Sequence, residues 1–260
     1  MQIARMGADL VIVARNGEKG ARALADVRAR AGSNRVSLLL CDFSSLASIR
    51  ALAAAFRSAH QRLDVLVNNA GTVSPERVVT ADGFELTFAV NHLGSFLLTN
   101  QLLDLLVHSA PARIVNVASG AHRSGRIDFS NLQFEHGGYS LVAAYSRSKL
   151  ANILFTDELA RRLAGKGVTA NSLHPGVVAT DIWNRVSWYF KPFVLLIKPF
   201  MISAERGGET IVHLATSLEV EGKSGGYYVK NRRVEPASGA TDRAAAERLW
   251  TESARLLKLS

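Results

Sequence analysis

Short β-branched and leucine-rich runs alternate with longer stretches of helical periodicity along most of the chain, and this alternation restricts the architectures open to it. Strands are expected at 9–14, 36–41, 65–68, 113–118, 168–173 and 226–229, with helices at 17–31, 46–62, 83–109, 143–164 and 204–217. In the helical stretches apolar residues recur at intervals of three and four. Ser44, Ser45 and Ser203 stand where N-caps belong, and Gly32 and Gly165 where helices stop. Strand, crossover helix and next strand in steady succession build a parallel sheet covered by helices, an α/β doubly wound layer. With 260 residues, 48% of them apolar and 20% charged, one domain spanning 1–260 has the material for its core.

In an open sheet of this kind ligands bind in the crevice at the C-terminal ends of the strands. Arg15, Asp42, Asn68 to Gly71, Ser119 and the Pro175-Gly176 pair each follow directly on an expected strand, so they gather along that one edge. The pattern is Rossmann-like, with one part not in evidence. A dinucleotide fold opens with a strand, a Gly-rich turn and a helix whose N-terminus faces the pyrophosphate. Here Met1-Gln2-Ile3-Ala4-Arg5-Met6-Gly7-Ala8 reads as the last turns of that helix leading into the second strand, and no later segment supplies a substitute turn. The sheet is therefore expected to lack its first strand.

Tyr145 and Lys149 are four residues apart at the start of a helical stretch, and Ser119 ends the strand-like run Ile114-Val115-Asn116-Val117-Ala118. Residues at i and i+4 share a helix face, which sets the ammonium beneath the phenol. A phenol with its ordinary pKa near ~10 is a poor base at neutral pH, but a neighbouring cation favours the phenolate and pulls that value down. The pair then serves as acid and base, with the Ser119 hydroxyl orienting the same oxygen. The bland alternatives are that Tyr145 packs its ring, that Lys149 is exposed and that Ser119 caps a turn; all three would have to hold together.

Asn68-Asn69-Ala70-Gly71, Asn91-His92-Leu93-Gly94, Asn116-Val117-Ala118-Ser119, Tyr145-Ser146-Arg147-Ser148-Lys149 and His174-Pro175-Gly176-Val177-Val178-Ala179-Thr180 follow in this order and spacing. In these five anchors the chain resembles the short-chain dehydrogenases/reductases, over about 1–229, and within them the branch of retinol dehydrogenases and WW-domain oxidoreductases. The resemblance implies hydride transfer to or from a nicotinamide, with Tyr145 as proton donor and acceptor. It implies that Lys149 both lowers the Tyr145 pKa and binds the nicotinamide ribose, that Ser119 holds the substrate oxygen, and that Asn91 anchors a water in a relay to Lys149. It further assigns cofactor contacts to Asp42 at the adenine, to Asn68, Ala70 and Gly71 at the ribose, and to Pro175, Gly176, Val178 and Thr180 around the carboxamide and nearby phosphate. The stretch 122–144 is expected to line the substrate entrance. The aromatic stretch 182–201, with Trp183, Trp188, Tyr189, Phe190, Phe193 and Phe200, corresponds to the family's lid and suits a long lipophilic alcohol, aldehyde or ketone. Members of the family pair through long helices, which implies a homo-oligomer.

Cofactor choice follows from charge. An NAD enzyme places a carboxylate at the end of its second strand, whereas this strand ends Val13-Ala14-Arg15-Asn16. A guanidinium there forms charge-assisted bonds to a 2′-phosphate, so NADP(H) is expected over NAD(H). The alternative is that Arg15 is an ordinary surface residue, just as Asn68 and Asn69 could be turn formers and Asn91 a solvated helix position.

The net charge of +9 is spread over helices without like-charge blocks or interleaved aromatics, which argues against nucleic acid as a partner. Cys41, the single cysteine, permits no intrachain disulfide, and the seven histidines show no metal-ligand spacing. No Gly-x-Ser-x-Gly motif supports acyl transfer. Neither a signal peptide nor a transmembrane span is expected, which suggests a cytoplasmic protein or one peripherally attached to a membrane through 182–201. A competing expectation is a truncated, catalytically compromised chain that serves as a binding or regulatory module.

Overall fold

The computed structural model describes residues 1–176 and 203–259. A short helix α1 (Gln2–Arg5) turns through Gly7, whose φ of +86° lies in the left-handed region, into β1 (Leu10–Ala14). Helix α2 (Gly17–Ala31) starts where the Asn16 side chain accepts from the Lys19 N–H and ends at left-handed Gly32. It leads to β2 (Val36–Leu40), parallel to β1 in the register Leu10↔Val36 to Ala14↔Leu40. Ser45 caps α3 (Leu46–Ala59), and β3 (Val65–Asn68) follows. Then come β4 (Ala112–Val117), the long helix α7 (Leu141–Arg162), β5 (Val168–His174), helix α8 (Ala204–Thr216) capped by Ser203, and β6 (Tyr227–Val229). A tight turn with Lys230 and Asn231 at positive φ reverses the chain into β7 (Arg232–Val234), and α9 (Arg243–Leu256) follows.

The order β3-β4-β5-β6 is parallel throughout, with β7 antiparallel at the edge. Side chains alternate across it with period two. Ala112 and Ile114 of β4, Val168 and Ala170 of β5 and Tyr227 of β6 enter a core with Leu97, Leu150, Leu154 and Leu249. Val115, Val117, Leu173 and Tyr228 enter a smaller core on the opposite face, with Leu214 of α8. Helices on both faces make this the Rossmann-like α/β fold expected from the alternation of strands and helices.

Strands β1 and β2 form a sheet of their own: among the described residues no ladder joins β1 to β3. The interruption falls where the sequence implied a missing first strand. Five of the six residues of β4 are buried, but none of the five in β1 is, and Val13 is 42% and Leu40 55% exposed.

Two expectations need correction. The helix expected over 83–109 is broken into α4 (Leu86–Phe88), a π-helical segment (Ala89–Leu93), α5 (Gly94–Gln101) and α6 (Leu103–His108). It begins late because Gly83 is in a turn, with φ of +87°, and because Val79 and Glu85 form a β-bridge. The buried Glu85 carboxylate then caps the first turn, accepting from the N–H groups of Thr87 (2.8 Å) and Phe88 (2.7 Å). The helix expected over 46–62 stops at Ala59, where His60 turns extended. Strand β7 and helix α9 were not anticipated. Among the described residues no helix is long and apolar enough to cross a membrane.

Candidate active site

Ser140 caps α7 by accepting from the Ala143 N–H at 3.1 Å, which sets Tyr145 in the second turn and Lys149 one turn further. Residues 146–156 of this helix are all buried, so the Tyr-x-x-x-Lys segment is held on every side rather than along one stripe. Ser119 follows β4 through Ala118, and its hydroxyl accepts from the Ala121 N–H at 3.2 Å to start the 3-10 turn Gly120–Ser124. It does cap a turn, yet the same hydroxyl is near enough to the Tyr145 phenol to favour its ionised form.

Lys149 lies close to this pair but not as expected. Its Nζ donates to the Val117 carbonyl at 2.9 Å and stands 5.6 Å from the centroid of the Tyr145 ring. Burial pushes its pKa down to about 8. The Tyr145 phenol moves the other way from the sequence expectation: burial raises its pKa, and the neighbouring Ser119 hydroxyl only partly offsets this. The correction has a physical reason, since the cation is aimed at a backbone carbonyl rather than at the phenolic oxygen.

Asn91 sits at the centre of the π-helical segment, wholly buried. Its Oδ1 accepts from the Thr72 N–H at 2.7 Å, and its Nδ2 donates to the Thr72 carbonyl (3.0 Å) and to Ser148 Oγ (2.9 Å). It is therefore no solvated helix position; it joins the strand-end loop to α7. A methyl group on Gly71 would lie 3.5 Å from Asn91 Oδ1 and 3.7 Å from Lys149 Nζ, so the β3 loop, the π segment and α7 converge there. Asn68 does not form a turn either. Its Nδ2 donates to Asn116 Oδ1 (2.7 Å) and Thr99 Oγ1 (2.9 Å), and Asn116 passes the chain on to Thr156 (2.9 Å). Ala70 lies beside Gly71 in the same loop, partly exposed.

At the other end of the crevice Arg15 is exposed, near Asp42. Burial alone would raise the Asp42 pKa, but hydrogen bonds from the Ser44 N–H (2.9 Å) and hydroxyl (2.7 Å), with the Arg15 cation nearby, hold it below the usual carboxylate value. Pro175 and Gly176 follow β5, and Gly176 has a φ of +89° that glycine tolerates best. Val178, Thr180 and the 182–201 stretch lie outside the described residues.

The residues fit a dinucleotide at its two ends. Lys149 has three N–H donors and spends one of them on Val117, leaving capacity toward Gly71 for ribose hydroxyls, and Arg15 offers a solvent-facing guanidinium for a phosphate. Sequence reasoning passed over three contributors. Ser148 links Asn91 to α7, and it lies within the Tyr145–Lys149 motif itself. Arg147 is buried over the Phe134 ring (3.7 Å) and donates to the carbonyls of Arg126, Asn131 and Leu132, which pins the 122–144 insert to α7. His122, which no spacing marked out, is buried beside Ser119.

Residues 1–188 match the profile of the short chain dehydrogenase family. Human retinol dehydrogenase 13 is 42% identical over 268 residues, an alignment that takes in 100% of this chain and 80% of that protein. A solved structure of an uncharacterized protein from Mycobacterium paratuberculosis superposes with a TM-score of 0.78 at 32% identity, covering 100% of this chain and 87% of the other. The Pseudomonas aeruginosa RhlG/NADP active-site complex superposes with a TM-score of 0.67 at 27% identity, covering 86% and 85%.

Proposed function

The chain belongs to the short-chain dehydrogenase family of nicotinamide-dependent oxidoreductases, and on that premise we propose that it uses NADP(H) to interconvert a lipophilic alcohol with its aldehyde or ketone. The observation that carries this reading is the convergence of the Ser119 hydroxyl on the Tyr145 phenol, with Lys149 one turn along the same helix and its Nζ 5.6 Å from the Tyr145 ring. When bound, the nicotinamide supplies or takes up the hydride. The protein handles the proton. In the reducing direction Tyr145 is protonated, because burial holds its phenol above the ordinary value, and it donates to the oxygen that gains negative charge. Ser119 donates a hydrogen bond to the same oxygen. The phenolate left behind has the Lys149 ammonium 5.6 Å from its ring, in surroundings where charges interact more strongly than in water. Asn91 keeps the loop at Gly71 against α7 through Thr72 and Ser148.

The choice of NADP(H) rests on Arg15 at the end of β1 and is supported by the NADP in the Pseudomonas complex. The lipophilic substrate is supported by the name of the human relative and by Val142, 53% exposed on α7 just before Tyr145. Calorimetric titration with NADPH and NADH tests the first point: NADPH should bind more tightly, and Arg15→Glu should reverse the order. NADPH oxidation with all-trans-retinal and other apolar carbonyls tests the second. A chain that binds NADPH but turns over none of them overturns the catalytic reading. The interruption between β1 and β3 favours a second reading, a non-catalytic binding module, for which NADPH should not bind at all.

A further inference from the structure

His122 is 1% exposed, and its ring nitrogens are engaged by two backbone groups, one on its own turn and one far along the chain. Nδ1 lies 2.7 Å from the Ser119 carbonyl, and Nε2 lies 3.1 Å from the backbone nitrogen of Ala237, in the segment after β7. A backbone N–H can only donate, so Nε2 must present its lone pair. The proton then sits on Nδ1, where it donates to Ser119. One neutral tautomer satisfies both bonds, and the imidazolium cannot, because its Nε2–H would face the Ala237 N–H.

We propose that His122 is a positioning residue, a neutral clip that holds the Ser119 backbone against the 235–240 segment and opens on protonation, so that the catalytic geometry is lost in acid. The proposal rests on the reading that Ser119 holds the substrate oxygen. The surroundings oppose the imidazolium from each side. Arg123 is on the same turn, and His174, at the end of β5, interacts electrostatically with the ring. Tyr227 of β6 packs edge-on at 5.0 Å, with its own phenol pushed up to about 12, and so brings no negative charge. Burial lowers the His122 pKa from its ordinary value of 6.5, more than the bond to Ser119 restores it. The clip is therefore closed at neutral pH and opens somewhere below 6.5.

Two measurements on the whole chain decide this. Nitrogen-15 NMR of histidine-labelled protein should show His122 with a protonated Nδ1 and a bare Nε2 at neutral pH, and the Ala237 amide should begin to exchange freely as the ring titrates. Kinetics with NADPH and all-trans-retinal should then be compared for His122→Phe, His122→Asn and His122→Gln. Phe fills the space but makes neither bond, and kcat should fall by about tenfold with the KM for NADPH unchanged. Gln sets an amide oxygen near the Nε2 position, where it can accept from the Ala237 N–H, and should restore most of the rate, Asn less, and the acid limb of the wild-type pH profile should vanish in all three. A protonated Nε2 at neutral pH, an unaltered kcat in the Phe variant, or an acid limb retained by all three variants overturns the proposal. If the wild type turns over no carbonyl, the functional reading fails, while the tautomer and the Ala237 exchange still decide whether the clip exists.

Discussion

Lys149 carries its charge into the interior with one carbonyl bond to offset the loss of water, a costly arrangement unless function requires it. Its pKa of about 8 lies below the ordinary 10.5, so between these values the unfolded chain binds more protons than the folded one. Stability should therefore climb with pH across that window, which denaturant titrations at several pH values would show. Lys149→Met should abolish both the slope and turnover while stabilising the chain by about 1–3 kcal/mol at neutral pH. Tyr145→Phe, by contrast, removes only the proton carrier. Turnover should drop about 10²–10⁴-fold, with NADPH affinity in calorimetry unchanged. The spacing of Tyr145 and Lys149 was legible in the sequence because a helix fixes which residues neighbour each other. The direction of the Tyr145 shift was not, since it depends on where Lys149 points and how deeply both are buried.

At the scale of elements α7 is the fixed reference to which loops are fitted. Gly125, at the start of the insert, lies so close to α7 that a methyl group there would come within 2.5 Å of the Ser146 carbonyl oxygen. Gly125→Ala should therefore push the insert off the helix beside Tyr145, costing about 1–3 kcal/mol in chemical denaturation and lowering kcat. The strand ends and some helix starts could be read from alternation and capping residues such as Ser45 and Ser203. The stretch 83–109 was misread as one helix because apolar spacing cannot register an extra residue in a turn. The surplus residue around Asn91 is what turns its amide toward Thr72 and Ser148, and π segments of this kind recur at functional sites. Strand β7 escaped notice for a simpler reason: three residues, two of them exposed arginines, carry no periodic signal.

Across the whole molecule the two sheets should differ in stability. β1, β2 and α2 lack buried strand residues to match those of β4 and β5, and much of what fastens them to the remainder is side-chain packing, such as Leu39 and Phe43 against the main core. Native-state hydrogen exchange should find the amides of β1 and β2 opening at lower free energy than those of β4 and β5, and equal protection of both sheets would contradict this. The interruption lies where the sequence offered no strand followed by a Gly-rich turn. Its consequence is one of additivity. Arg15 and Lys149 stand on separate hydrogen-bonded frames, so occupation of one has no shared ladder through which to tighten the other. An adenosine 2′,5′-bisphosphate fragment and a nicotinamide mononucleotide fragment should therefore bind with free energies that simply sum, each indifferent to the presence of its counterpart.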